Sequence, residues 1–196
     1  MAEQPLRILV VVGTLSQRSV LSAVVGQLSH QLKTEGCAVD VLDFETEPLA
    51  IYIPEVTPGL PAYADLQARV DCADVILLAT PDYHGGISGA IKNFLDHFWR
   101  EFAGKLFVTI VGSNEKGLTV TDQMRTVARQ CYAWTLPYGV AFTHEDVKGG
   151  QIVSETLKDR LQMMVHDTCV YGKLLARQRQ ADLKGTTPGF MAKYRK

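Results

Sequence analysis

The chain predicts an α/β domain in three layers: a five-stranded parallel sheet with helices on both faces. Three observations predict it. Short apolar runs recur at Leu6–Val12, Ala38–Phe44, Asp74–Ala79, Lys105–Val111 and Tyr138–Thr143. The segments between them carry apolar residues at helical spacing. Strand and helix alternate strictly through short polar loops, the order of a parallel sheet with crossover helices.

The first run, Leu6–Val12, is apolar at every position but one, as a strand buried on both faces must be. Leu21, Val24, Val25, Leu28 and Leu32 then form one helical face, and Gly36 is a stop signal. After the second run, Glu45–Leu60 carries three prolines (Pro48, Pro54, Pro58) and predicts a long surface loop. Pro61 suits the first turn of a helix burying Tyr63, Leu66 and Val70. The third strand is expected to end at Thr80 and break into Pro81–Gly86. A helix then buries Ile87, Ile91, Phe94, Leu95 and Phe98, with Trp99 and Phe102 extending its apolar surface into the core or a dimer face. Lys92 and Asp96 stand four apart on its other side. The fourth strand leads to the polar loop Gly112–Gly117 and a helix aligning Val120, Met124, Val127 and Cys131. The last helix groups Leu157, Leu161, Met164 and Val165.

Length and composition bound the rest. The 196 residues, 46% hydrophobic, predict a single domain over 1–180 and a polar, basic tail over 181–196, frayed or laid on a neighbouring subunit. A net charge of −1 gives no pull toward nucleic acid or anionic membrane, and speaks against a strongly acidic electron shuttle. The opening residues lack the basic start and long apolar core of a secretion signal, so a cytoplasmic protein is expected. No run approaches the roughly 18 apolar residues of a membrane span. Cys37, Cys72, Cys131 and Cys169 lie far apart, without CxxC or His at ligand spacing, so no metal centre or disulfide framework is expected. His144-Glu145-Asp146 lacks the HExxH continuation and reads as an exposed turn, and Ser88 lacks a full GxSxG context and reads as first-turn polarity.

Loops that follow parallel strands emerge together at the carboxyl edge of the sheet, where open α/β sheets bind ligands. The first, Gly13-Thr14-Leu15-Ser16-Gln17-Arg18-Ser19 before Val20, offers three hydroxyls and a guanidinium at a helix start. That is a phosphate site by its free N–H groups and dipole, or equally a hydroxyl-rich cap with Ser19 at the N-cap. The sequence is neither a Walker loop nor GxGxxG. In the second loop, Pro81-Asp82-Tyr83-His84-Gly85-Gly86, a Tyr and a His suit the edge of a flat, polar, aromatic ligand.

This second loop and its helix resemble the flavin-loop signature of the NADPH-dependent FMN reductase family, T-P-E-Y-N-G-S-x-P-G-x-L-K-N-x-x-D. Thr80, Pro81, Tyr83, Gly85, Gly89, Lys92, Asn93 and Asp96 match it, and Gly13, Thr14 and Ser19 match the family's first loop. Departures are Ser16 in place of Arg, Asp82 of Glu, His84 of Asn, and a third loop without a double glycine. The resemblance implies a flavodoxin-like fold with strand order 2-1-3-4-5. It implies FMN with its phosphate on Gly13, Thr14, Ser16, Arg18, Ser19 and Val20. The ring would lie against Pro81, Asp82, Tyr83, His84 and Gly85, and its pyrimidine side near Gly112, Ser113 and Gly117. It further implies a homodimer or homotetramer that takes hydride from NAD(P)H and reduces flavin, quinones or similar small acceptors by a ping-pong scheme. Tyr83 and His84 would shape the pocket without acting as obligatory acids or bases. The alternatives are a non-enzymatic flavin carrier or redox sensor, and an interaction module that has lost its cofactor.

Overall fold

The computed structural model describes residues 4–17 and 19–195. Five main strands run parallel. β1 (Arg7–Val12) sits between β2 (Ala38–Asp43) and β3 (Val75–Tyr83), and β5 (Leu106–Gly112) lies beyond β3. The fifth position is shared by β6 (Trp134–Thr135) and β7 (Val140–Phe142), both parallel to β5. Counting β6 and β7 as one interrupted strand gives the expected order 2-1-3-4-5. Register runs straight across the centre, with Val10 opposite Leu77 and Leu77 opposite Val108.

Side-chain alternation divides the core into two layers. Ile8, Val10, Val12, Leu77 and Val108 pack with α1 (Val20–Thr34) and α5 (Glu155–Lys184). Leu9, Val11, Ile76, Leu78 and Phe107 pack with α2 (Pro61–Cys72), α3 (Gly89–His97) and α4 (Leu118–Gln130) on the other face. The central strands thus bury both faces, each large aliphatic chain contributing about 1.5–3 kcal/mol relative to exposure. Pro61 opens α2 as expected, and Lys92 and Asp96 form the exposed i,i+4 pair at 2.5 Å.

Four expectations need correction. The third strand does not stop at Thr80. Pro81 stays in register with Gly112, and Asp82 and Tyr83 pair antiparallel with Ile87 and Gly86 of β4 (Gly86–Ile87). Ile87 is therefore a strand residue, and α3 begins two residues later. Helix α3 ends at His97, so Trp99 and Phe102 do not continue it. Phe102 is fully buried in a short 3-10 turn against Phe107, while Trp99 is exposed and donates its indole N–H to the Gln130 carbonyl. The fifth strand is interrupted around Pro137, which has no N–H to give a ladder.

The last helix is the fourth difference. It runs for 30 residues, through the expected boundary at residue 180, and the segment beyond it folds back. Met191 is buried, Phe190 stacks on Tyr132 at 6.0 Å, and Arg195 Nε donates to the Asp182 carbonyl. The tail residue Lys196 lies outside the described residues.

The four cysteines are free thiols, three of them buried and Cys72 exposed. His144-Glu145-Asp146 forms a short 3-10 turn capped by Thr143, followed by the hairpin of β8 (Val147–Lys148) and β9 (Gln151–Ile152). No described helix is long and apolar enough to cross a membrane. Among the described residues, no three His, Cys, Asp or Glu side chains are placed to hold a metal ion.

Candidate functional site

Three loops converge at the carboxyl ends of β1, β3 and β5. The first leaves β1 at Gly13, whose N–H donates to the Ala79 carbonyl (2.8 Å) and whose carbonyl accepts from Ser88 Oγ (2.7 Å). A Cβ on Gly13 would stand 2.1 Å from Ile91 Cγ1, so α3 itself excludes a side chain there. Thr14 is buried and its Oγ1 accepts the Ser16 N–H, while Ser16 is exposed. Ser19 is the N-cap of α1, accepting from Leu21 N–H at 3.2 Å, and Val20 begins the helix. No acidic residue lies in that first turn. Arg18 lies outside the described residues. Hydroxyls and an uncancelled positive dipole end are thus what α1 presents to the site.

The second loop is a hairpin tip. His84 and Gly85 turn it, with φ of 57° and 75°, the pair of positive angles that a two-residue type I′ connection needs. Tyr83, His84 and Gly85 are exposed at the tip, while Pro81 and Asp82 are half-buried. The Asp82 carboxylate ties two loops together. Oδ1 accepts the Gly85 N–H at 2.8 Å, and Oδ2 accepts from Ser113 Oγ at 2.9 Å.

The third loop starts at Gly112, the last residue of β5, and Ser113 also accepts the Glu115 N–H. Gly117, at φ 60°, occupies the N-cap of α4 without a side-chain cap, and a Cβ there would crowd Val111 and Ala141 at about 3 Å. The amino end of α4 therefore opens, without a side-chain cap, into a cavity of about 890 Å³ whose lining also carries Asp82, Glu115 and Lys116. Asp82, His84 and Gly85 form one wall of this cavity, and the stretch from Ser113 to Thr119 the other.

Some of the residues that build the site were not singled out from sequence. Ser88, read as first-turn polarity, is the N-cap of α3. It accepts the Ile91 N–H and donates to Gly13, joining the first loop to the helix after the second. Its position one residue before Gly89 was the available signal. Gln123 of α4 accepts the Ile87 N–H at 3.0 Å and steadies the hairpin from outside, a contact that no local pattern announces. Thr119 lines the cavity beside Gly85.

Comparison with known proteins gives a consistent result. The sequence profile described as NADPH-dependent FMN reductase matches residues 6–148. An FMN-dependent NADPH-azoreductase of Staphylococcus haemolyticus (strain JCSC1435) is 30% identical over 145 residues, covering 70% of this chain and 76% of its own length. The counterpart from Staphylococcus aureus (strain USA300) is 28% identical over the same coverage. Among solved structures, the fold resembles an NADH:FMN oxidoreductase (EMOB) in its apo form, with TM-score 0.70 and 15% identity, covering 85% of this chain and 89% of that one. It also resembles FerB, a flavoenzyme NAD(P)H:(acceptor) oxidoreductase from Paracoccus denitrificans, with TM-score 0.70 and 18% identity, covering 85% and 97%.

Proposed function

This chain belongs to the NADPH-dependent FMN reductase family, and from that premise we propose how its three loops divide the work of an FMN-dependent NAD(P)H oxidoreductase. The observation that carries the proposal is that the second and third loops wall one polar cavity of about 890 Å³, with the first loop tied to the helix after the second by the Ser88 bond to Gly13. The residues present fit FMN. A hydroxyl-bearing, acid-free helix start suits the phosphate, which Gly13, Thr14, Ser16, Arg18, Ser19 and Val20 would hold. The uncapped start of α4 at Gly117, with Gly112 and Ser113 beside it, suits the acceptor-rich pyrimidine edge of the ring. Pro81, Asp82, Tyr83, His84 and Gly85 would form the wall that holds the ring.

Bound FMN supplies the redox chemistry, taking hydride from NAD(P)H and passing two electrons to an acceptor. The chain's part is positioning. Asp82 keeps the hairpin and the third loop at a fixed separation, so the polar lining is set before ligand arrives. The uncapped α4 amino end would favour negative charge on the group it faces. Tyr83 and His84, exposed at the tip, leave the outer side of the site open. The nicotinamide and then a flavin, quinone or similar small acceptor occupy it in turn, a ping-pong alternation that needs no side-chain acid or base. We read the working unit as a cytoplasmic homodimer or homotetramer of one flavodoxin-like domain, without nucleic acid or membrane as partners.

The visible spectrum of the purified, FMN-loaded protein tests this. Anaerobic NADPH or NADH is expected to bleach the yellow absorbance, and the faster donor names the physiological one. A protein that neither takes up FMN nor bleaches it would refute the assignment, and one that binds FMN but ignores both nicotinamides would be a carrier.

A further inference from the structure

A second cavity, of about 410 Å³, adjoins the flavin hairpin. It is walled by Leu15, Phe44, Pro48, Leu49, Ile51 and Tyr83, and among the described residues none of its lining is charged. Ile51, Leu15 and Tyr83 leave 74%, 66% and 55% of their surface open, an apolar mouth at the same edge as the cofactor loops. One wall is borrowed from the proline-rich loop, and the Asn93 side chain of α3 bonds that wall in place. Asn93 Oδ1 accepts the Tyr52 N–H at 2.9 Å, and Nδ2 donates to the carbonyls of Ala50 (2.9 Å) and Leu49 (3.4 Å). One turn on, His97 packs its ring 5.0 Å from that of Tyr52 and bonds the Asn93 carbonyl through Nδ1, so the loop is seated along one stripe of the helix.

We infer that this cleft selects the electron acceptor, receiving the apolar end of an uncharged, flat aromatic molecule, and that Asn93 is the positioning residue that sets its width. The inference rests on the reductase reading. Tyr83 gives the physical link, since one residue belongs to both the flavin hairpin and the cleft wall. An uncharged lining loses little by desolvation and rejects charged acceptors, which would enter without a partner. A naphthoquinone meets both demands. It takes two electrons and two protons, a hydride equivalent originating in NAD(P)H plus one proton from water, and leaves as the hydroquinone.

The test compares menadione with ferricyanide, a small anion that has no use for the cleft, on FMN-loaded wild type, Asn93→Leu, Asn93→Asp and Ile51→Asp. Menadione binding by equilibrium dialysis is measured beside KM. In Asn93→Leu and Ile51→Asp, menadione KM and dissociation constant are expected to rise about tenfold, while ferricyanide KM and FMN affinity stay within about twofold. Asn93→Asp keeps the acceptor for Tyr52 but sets an oxygen against two carbonyls, and should fall between. Equal shifts for both acceptors, or menadione binding unchanged in all variants, would overturn the cleft with the reductase intact. Unchanged binding with dissociation of an oligomer would give the cleft to a second copy of the chain. Wild-type protein that holds no FMN yet binds menadione, and loses it in the variants, would instead overturn the reductase reading and keep the cleft.

Discussion

Asp82 and Lys105 each satisfy several partners, one at either end of the sheet. The Asp82 carboxylate takes one bond from each of two loops, so its loss frees both. Asp82→Ala is expected to cost about 1–2 kcal/mol of stability and to weaken FMN about tenfold in fluorescence titration. Asp82→Asn, which can still accept from Gly85 and donate to Ser113, should stay near wild type. Lys105 is 1% exposed, and its ammonium donates to the carbonyls of Val70, Asp71 and Ala73 at the end of α2. Burial, with Arg179 nearby, pushes its pKa down to about 7, while the charges of Asp71 and Asp74 pull against that shift. A folded-state pKa below the ordinary 10.5 means that the unfolded chain binds the extra proton between those values. Stability therefore rises with pH across that window and levels off above it. Urea unfolding between pH 7 and pH 9.5 reads this rise. In Lys105→Met it should vanish, alongside a loss of about 2–4 kcal/mol from the orphaned carbonyls.

At the scale of elements, period and punctuation told most of the story, and the failures are local. Leu6–Val12 and Lys105–Val111 were legible because a strand buried on both faces has no other way to read. The hairpin was not, because Pro81 and two glycines mark a break in the chain, yet here the strand continues and the turn falls on His84-Gly85. Histidine is a poor choice for a positive φ, a conformation that costs a residue with a Cβ about 1–2 kcal/mol. His84→Gly should thus raise the thermal midpoint, and a lowered midpoint would mean that the imidazole makes a compensating contact. The interruption of the outer strand had a visible cause in Pro137 but no visible extent. Leu136 on one side of the gap is buried, and only the packed sheet reveals it. The loop after β3 stood out by composition, but the cross-loop bonds of Asp82, Ser88 and Gln123 depend on residues 8 to 75 positions apart, which no local pattern contains.

The two ends of the sheet are built differently. At the carboxyl ends of the strands, loops are kept apart around two cavities. At the amino ends, Arg7 pairs with Asp74, Arg179 donates to the Ala103 carbonyl, and the folded-back tail covers Gly104 with Met191. The polarity of residues 181–196 hid that fold-back, since its apolar anchors, Met191 and the rings of Phe190 and Tyr194, are scattered in a basic run. Truncation after Gly185 is expected to cost about 2–3 kcal/mol in urea unfolding, through the lost burial of Met191, and to leave FMN affinity unchanged. The amino end also holds both tryptophans of the chain. Trp99 is hydrogen-bonded to Gln130, and Trp134 lies opposite Leu106 where β5 begins, whereas Gly112 ends β5 at the cavity. That strand separates the Trp134 indole from the cavity by roughly 20 Å at about 3.3 Å per residue. Indole emission overlaps flavin absorption, so the fold carries its own optical ruler: flavin uptake should dim the tryptophan light by energy transfer without contact quenching, and the unlabelled chain reports its own loading.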